Sequence, residues 1–496
     1  LSVELKFKYY LSTKKFIFLL CIIILPSISH AQSVGSTGAT AVDSLRRQFE
    51  KDATQTVADF EEYSKKALEE HEKYEAQARA DYSRYTRSIK QTWGSDTIVD
   101  NTPTKWVEYS NDYQNRSIVD FDQGKILVEV ALDDNNTMDS NAINTRLATA
   151  IEHLLKSQGS TCPYQSSVDV SKPLTNNPVL DGLVDFSMYK PDKTLSSTGK
   201  EITPVRAAPP TPTVKGQKLT LNTNQKKASS GDTISTGTTM ARRVQEEGNK
   251  NSGNPLADKR EEAHKRAGQK TQGWQNEAEK AILVKTIAAQ SPKKISKVKG
   301  DDGKVRQVVQ IEMNLVSDNL SKNATLYKDL VAEFSQIFQI EQPLIFAVME
   351  QESRFNPEAT SWVPAYGLMQ LVPTSGGLDA YNYVYKNCWV PTRSYLFIPR
   401  NNIELGTAYL RVLMNQFASV SDLNCRRLCV IAGYNTGAGN VSRAFTGATN
   451  LNKAIPLINK YNYEQLYHHL TNRLSTSEAR NYVSGVSKRR EKYLKP

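Results

Sequence analysis

From Phe60 onward the chain repeats every eleven residues: Phe60, His71, Tyr82 and Trp93 align, as do Tyr63, Tyr74 and Tyr85, and then Ala67, Ala78 and Ile89. Eleven residues make three turns at about 3.67 residues per turn, so such a stripe stays on one side of a nearly straight helix. With the upstream Leu45, Phe49, Ala53 and Val57, the pattern predicts a long charged helix within residues 32–92, roughly 70 Å at ~1.5 Å per residue. The aromatic and alanine stripe is compatible with two uses. It can pair with another helix, which would be self-association, or it can pack along the helix's own domain.

At 496 residues the chain exceeds what one core usually organises, which points to two to four domains. With 39% hydrophobic and 23% charged residues it is not a polytopic membrane protein. Lys and Arg number 63 against 52 Asp and Glu, a net charge of +11 that suits a polyanionic partner: nucleic acid, an anionic membrane face or an envelope polymer. Lys14-Lys15, the apolar run Phe16 to Leu25 and then Ser29-His30-Ala31 form a secretory signal pattern, so residues 1–31 are expected to be a signal peptide cut after Ala31. An uncleaved anchor is the other reading of that run. Export removes nucleic acid as a partner, and the basic tract lacks the aromatic interleaving that binding single strands requires. Outside this segment lie Cys162, Cys388, Cys425 and Cys429. One disulfide among the last three and buried free thiols both fit.

Strands are expected around Trp106 to Tyr109, Ser117 to Phe121 and Lys125 to Val130, and then a helix from Asn141 to Ser157 with Leu147, Ile151 and Leu154 on one face. Residues 93–190 thus read as the first part of an α+β accessory domain, and 191–255, rich in Thr, Ser, Pro, Gly and Lys, as a flexible basic insertion. Residues 256–320 read as a helix and a hairpin about Gly300-Asp301-Asp302-Gly303 that returns to the same sheet. Beyond it, 321–496 form an α-rich domain, with helices at Tyr327 to Ile340, Pro343 to Phe355, Ile403 to Phe417, Arg426 to Tyr434 and Glu478 to Leu494. The fold class is α+β multidomain: an α-rich C-terminal domain preceded by a small α+β domain and a long N-terminal helix.

Along the helix Pro343 to Phe355, the residues Ile345, Val348, Met349 and Glu352 fall at i, i+3, i+4 and i+7. Glu352 therefore continues an apolar face near a helix C-terminus. Desolvation and the negative end of the helix dipole both disfavour its charged form, which keeps a carboxyl protonated near neutral pH and able to act as an acid. A last-turn glutamate reaching to water is the plainer reading of this helix alone. Three more segments follow in order: Gly367-Leu368-Met369-Gln370, Tyr434-Asn435 and Glu478-Ala479-Arg480-Asn481-Tyr482. Their glycines permit close backbone approach, and Gln, Asn and Tyr offer the mixed lining a sugar ring requires.

Together Glu352-Ser353-Arg354-Phe355-Asn356-Pro357, Gly367-Leu368-Met369-Gln370, Tyr434-Asn435 and Ala479-Arg480-Asn481-Tyr482 resemble the soluble lytic transglycosylase family over about residues 325–490. Upstream, Ile89-Lys90-Gln91-Thr92-Trp93-Gly94, Tyr113-Gln114-Asn115-Arg116 and Phe121-Asp122 resemble the amino-terminal domain of its membrane-bound C type. The resemblance implies a lysozyme-like catalytic domain and peptidoglycan glycan strands as substrate, cleaved between N-acetylmuramic acid and N-acetylglucosamine with 1,6-anhydromuramic ends. It implies no metal and no cofactor. By the same resemblance Glu352 is the catalytic acid and base. Ser361 and Gln370 would hydrogen-bond the sugars, Met369 would pack on a ring face, and Tyr434, Asn435 and Tyr482 would line the cleft. The expected location is the periplasm, with association to the outer membrane or another anionic envelope surface. Departures from the family pattern are Pro364-Ala365 before Gly367 and Gly433 before Tyr434. Two rival readings are a goose-type lysozyme-like hydrolase and a non-catalytic peptidoglycan-binding or assembly protein.

Overall fold

The computed structural model describes residues 36–133, 139–189 and 277–494. The expected signal peptide and the basic insertion at 191–255 lie outside the described residues. The described residues up to Met188 and from Ile287 onward form one compact unit, and Tyr189 with residues 277–286 falls in a second one.

Helix α1 runs from Ser36 to Trp93, 58 residues, or ~87 Å at the helical rise. Its aromatic stripe packs along its own chain. Tyr63 donates to Asn387 Oδ1 at 2.9 Å and Tyr74 to Asp169 at 2.8 Å, while Tyr85 stacks on Tyr164 with ring centroids 5.2 Å apart. Trp93 and Ile89 are fully buried, against Ala131 and Val308. From His71 to Trp93 the stripe is thus largely packed within the chain, whereas Tyr63 stays exposed. Gly94 then turns the backbone at φ +77°, where a Cβ would meet the Lys299 carbonyl oxygen at 2.2 Å.

Five antiparallel strands follow: β1 (Lys105–Tyr109), β2 (Asn115–Asp120), β3 (Lys125–Asp133), β4 (Lys294–Lys299) and β5 (Val305–Asn314), in the order β1-β2-β3-β5-β4. The late hairpin β4–β5 joins the sheet through β3, with Val128 opposite Ile311 and Val130 opposite Val309. Ile126, Val128 and Val130 are buried on one face of β3 and Glu129 and Ala131 on the other, so the later part of this strand is covered on both sides. Helix α2 (Ser140–Lys156) starts with Asp139 capping Ala142 N and buries Leu147, Ile151 and Leu154. It lies on β2 and β3. Helix α3 spans Glu277–Gln290.

The remaining helices are α4 (Asn319–Leu326), α5 (Lys328–Phe338), α6 (Gln342–Ser353), α7 (Leu378–Tyr385), α8 (Arg393–Phe397), α9 (Pro399–Gln416), α10 (Leu423–Thr436), α11 (Ala438–Thr446), α12 (Leu451–Ile458), α13 (Tyr463–Arg473) and α14 (Ser477–Leu494). They surround one apolar core that includes Phe334, Ile345, Val348, Leu405, Leu410, Phe417, Val430 and Val483. The chain is thus α+β with a helical C-terminal domain. Cys162, Cys388, Cys425 and Cys429 are all free and buried, so the thiol alternative applies. Among the described residues no helix is long and apolar enough to cross a membrane.

The segment after α6 is fastened to the sheet domain. Asn356 Nδ2 donates to the carbonyls of Thr102 and Pro103 at 3.3 and 3.4 Å. Arg354 pairs with Asp122 at 2.7 Å, and Glu358 accepts from the Ser160 amide at 2.8 Å. The sheet domain thereby buttresses the end of the helix that carries Glu352.

Candidate active site

Helix α6 begins with Pro at its first turn and buries Leu344, Ile345, Ala347, Val348 and Met349. It stops abruptly: Arg354 and Phe355 both have positive φ, 52° and 65°. Two consecutive non-glycine residues in the left-handed region are strained. The strain is held by what the side chains touch: Arg354 pairs with Asp122 and Glu350, and buried Phe355 stacks on Tyr327 at 6.4 Å. Ser353 Oγ contacts the Met349 and Leu368 carbonyls at 3.0 and 2.8 Å and accepts from the Phe355 amide. This helix end projects Glu352.

Burial pushes the Glu352 carboxyl up to about 8, and the negative charge of Glu478 adds to that rise; a hydrogen bond from Tyr482 opposes it. Tyr482 OH donates to Glu352 Oε1 at 2.6 Å. At neutral pH Glu352 is therefore predominantly protonated, the state required of a general acid. Desolvation dominates here, as the apolar face of the helix predicts.

Tyr482 reaches Glu352 because Ala479, Tyr482, Val483 and Val486 form the buried face of α14. The far end of that helix is fixed to α6 through Glu350, which accepts from Lys492 Nζ at 2.9 Å and Tyr493 OH at 2.5 Å and lies 3.4 Å from Arg489 Nε. Burial alone would raise the Glu350 carboxyl, but these donors hold it below the usual range. The two glutamates of one helix thus divide: Glu350 ionised and clamping, Glu352 protonated and facing the site.

Opposite stands the loop Gly367–Gln370. Asn402, fully buried at the start of α9, accepts from the Met369 amide at 2.7 Å and donates to the Tyr366 and Leu396 carbonyls at 2.8 and 2.7 Å. Tyr434, on α10, donates to the Met369 carbonyl at 2.8 Å and packs against Tyr409 with centroids 5.4 Å apart. The charge of Glu352 raises the hydroxyl pKa of both Tyr434 and Tyr482 beyond the effect of burial, so the three groups share one site. Asn435 Nδ2 donates to Glu478 Oε1 at 3.1 Å and so holds that carboxylate beside Glu352.

The other expected residues are placed differently. Met369 is fully buried; its Sδ lies 2.3 Å from where a Cβ on Gly406 would sit. Its side chain is packed against α9 and presents no face to a sugar ring, and the residue reaches the site by its carbonyl. Gln370, at φ 46°, donates its Nε2 to the Ala359 and Gly367 carbonyls at 2.9 and 3.0 Å. That leaves its Oε1 without a protein partner. Ser361 Oγ donates to the Val363 carbonyl. The sequence alone assigns no site role to Glu350, Asn402 or Glu478, because their roles depend on partners far away in the chain. Among the described residues no group of three or more His, Cys, Asp or Glu is arranged to hold a metal ion.

Residues 329–455 match the family model of the transglycosylase SLT domain, and residues 65–184 match that of the N-terminal domain of membrane-bound lytic murein transglycosylase C. Curated relatives include membrane-bound lytic murein transglycosylase C of Sodalis glossinidius, 40% identical over 38% of this chain and 52% of that protein, and of Klebsiella pneumoniae, 38% identical over 40% and 54%. The chain spans about half the length of the curated relatives it matches. Among solved structures, an inactive mutant of the lytic transglycosylase Slt of Pseudomonas aeruginosa matches at 24% identity and TM-score 0.27, over 34% of this chain and 25% of that one. The 70-kDa soluble lytic transglycosylase of Escherichia coli matches at 24% identity and TM-score 0.27, over 36% and 26%.

Proposed function

We propose that this chain, in which an N-terminal domain of the membrane-bound lytic murein transglycosylase C type precedes a transglycosylase SLT domain, is an exported peptidoglycan lytic transglycosylase. Its substrate is the β-1,4 bond between N-acetylmuramic acid and N-acetylglucosamine, and its place of action the periplasmic side of the envelope. The observation that carries the reading is Glu352, a carboxyl kept protonated by burial and touched by Tyr482 at 2.6 Å.

Protonated Glu352 gives its proton to the leaving glycosidic oxygen as the bond to muramyl C1 breaks. The resulting carboxylate then takes the proton of the muramyl 6-hydroxyl as that oxygen bonds to C1, closing the anhydro ring. The proton taken equals the proton given, so the enzyme is restored without water. The second nucleophile is the substrate's own hydroxyl, whereas ordinary glycosidases use two flanking carboxylates. Tyr482 orients Glu352, and its hydrogen bond strengthens on the carboxylate that forms midway. Tyr434 steadies the Met369 carbonyl, and Gln370 Nε2 ties the same loop to the Ala359 and Gly367 carbonyls.

Hydrolysis to reducing muramic acid ends is a second reading, favoured by one observation: Glu478 lies close enough to raise the Glu352 carboxyl and could serve as the second carboxylate. Mass spectrometry of purified peptidoglycan digested by the protein, beside Glu352→Gln, separates them. Anhydro-muropeptides from the wild type alone support the proposal; reducing ends replace it with hydrolysis. Absence of products alongside tight binding would leave a non-catalytic binder.

A further inference from the structure

Trp362 is fully exposed, at 102% of the reference surface, and its neighbour Val363 is 64% exposed. A tryptophan left entirely in water forgoes the largest burial any side chain offers, so an exposed one held by a built loop marks a contact surface. This loop is built. The Ser361 amide donates to the Ala365 carbonyl at 3.2 Å and Ser361 Oγ to the Val363 carbonyl. Pro364 fixes its own φ within this turn.

The stem of the loop is continuous with the candidate site. Thr360 bridges Tyr366, and Tyr366 bridges Leu371; the Gly367 amide and Gln370 Nε2 both donate to the Ala359 carbonyl at 2.9 Å. The same Gly367–Gln370 segment receives Tyr434 at the Met369 carbonyl and Ser353 at the Leu368 carbonyl. Trp362 thus stands at the tip of a short, proline-stiffened projection rooted in the wall of that site.

We propose that Trp362 is a stacking platform for the glycan strand, covering the apolar face of an N-acetylhexosamine ring that lies outside the position where the bond is cleaved. This rests on the reading of the protein as a peptidoglycan enzyme. A pyranose ring offers C–H groups on one face and hydroxyls at its rim, which fits an indole flanked by Val363 and by polar Ser361. A rigid platform adds affinity because little side-chain or loop entropy is lost on binding.

The test is co-sedimentation of Glu352→Gln protein with insoluble purified peptidoglycan, with and without Trp362→Ala and with Trp362→Tyr, beside initial rates of the corresponding Glu352 proteins. Binding and rate at dilute peptidoglycan are expected to fall about tenfold with alanine and to recover most of the way with tyrosine, at an unchanged melting temperature. Equal binding by the alanine variant overturns the inference while leaving the enzymatic reading intact, provided the wild type turns substrate over. Loss of binding to anionic phospholipid vesicles, with peptidoglycan binding unchanged, also overturns it and assigns the loop to a membrane. A wild type that neither binds nor cleaves peptidoglycan overturns both readings together.

Discussion

Tyr482 OH lies 2.6 Å from Glu352 Oε1, although the two residues are 130 positions apart in the chain. The contact forms because α14 packs against α6, with Val483, Val486 and Val348 all buried in the same core. It binds a donor to a carboxyl that burial holds at about 8, and it makes the acid's pKa adjustable from a distant helix.

On the proposed mechanism the rate should fall above about pH 8, as Glu352 loses the proton that the mechanism has it deliver. The Tyr482 hydrogen bond lowers that pKa and the Glu478 charge raises it. Tyr482→Phe should therefore move the alkaline limb of kcat/KM upward, and Glu478→Gln should move it downward. Profiles of the three proteins between pH 5 and pH 10, measured on soluble glycan fragments, check both signs. A limb common to all three would detach it from Glu352.

Gly406→Ala should destabilise the protein by about 1–3 kcal/mol through overpacking, because the new methyl would meet Met369 Sδ at 2.3 Å and Met369 Cβ at 2.9 Å. It should also displace the Met369 carbonyl from Tyr434 and lower kcat. Urea unfolding and single-turnover rates read the two effects separately.

Asn402→Ala removes three buried hydrogen bonds and takes the side-chain partner from the Met369 amide and the Leu396 carbonyl, while the Tyr366 carbonyl keeps the Leu371 amide at 3.1 Å. A loss of about 2–4 kcal/mol is expected, since each unsatisfied buried group costs ~1–3 kcal/mol. Asn402→Asp keeps the acceptor for the Met369 amide and should restore only part of that loss.

Glu358 is buried beside Glu108 at the boundary with the sheet domain, and burial pushes its carboxyl up to about 8. In the unfolded chain it ionises near 4.5, so the folded state holds the extra proton between these values. Stability is then fully present below about 4.5 and declines as pH rises toward 8, at up to ~1.4 kcal/mol per unit for each such group. Glu352 behaves in the same sense. Glu358→Gln should flatten the fall in melting temperature between pH 5 and pH 8 by about half.

The sequence by itself determined what depends on neighbours within a few turns. The eleven-residue repeat set the long helix, two-residue alternation set the strands, and the i, i+3, i+4, i+7 pattern put Glu352 on an apolar face, which is why its protonation was legible. Tertiary structure decided the rest. Nothing local to Tyr74 and Tyr85 says that they meet Asp169 and Tyr164 rather than a second helix. The burial of Met369 depends on Gly406, 37 residues later, whose missing side chain lets α9 approach; the fixing of the loop depends on Asn402. Glu350 and Glu352 look alike in sequence, and only the crossing of α14 brings Lys492 and Arg489 together with the Tyr493 phenol to one and the Tyr482 phenol alone to the other. Periodicity encodes which face is buried, but the partner that buries it is chosen by packing across the whole core.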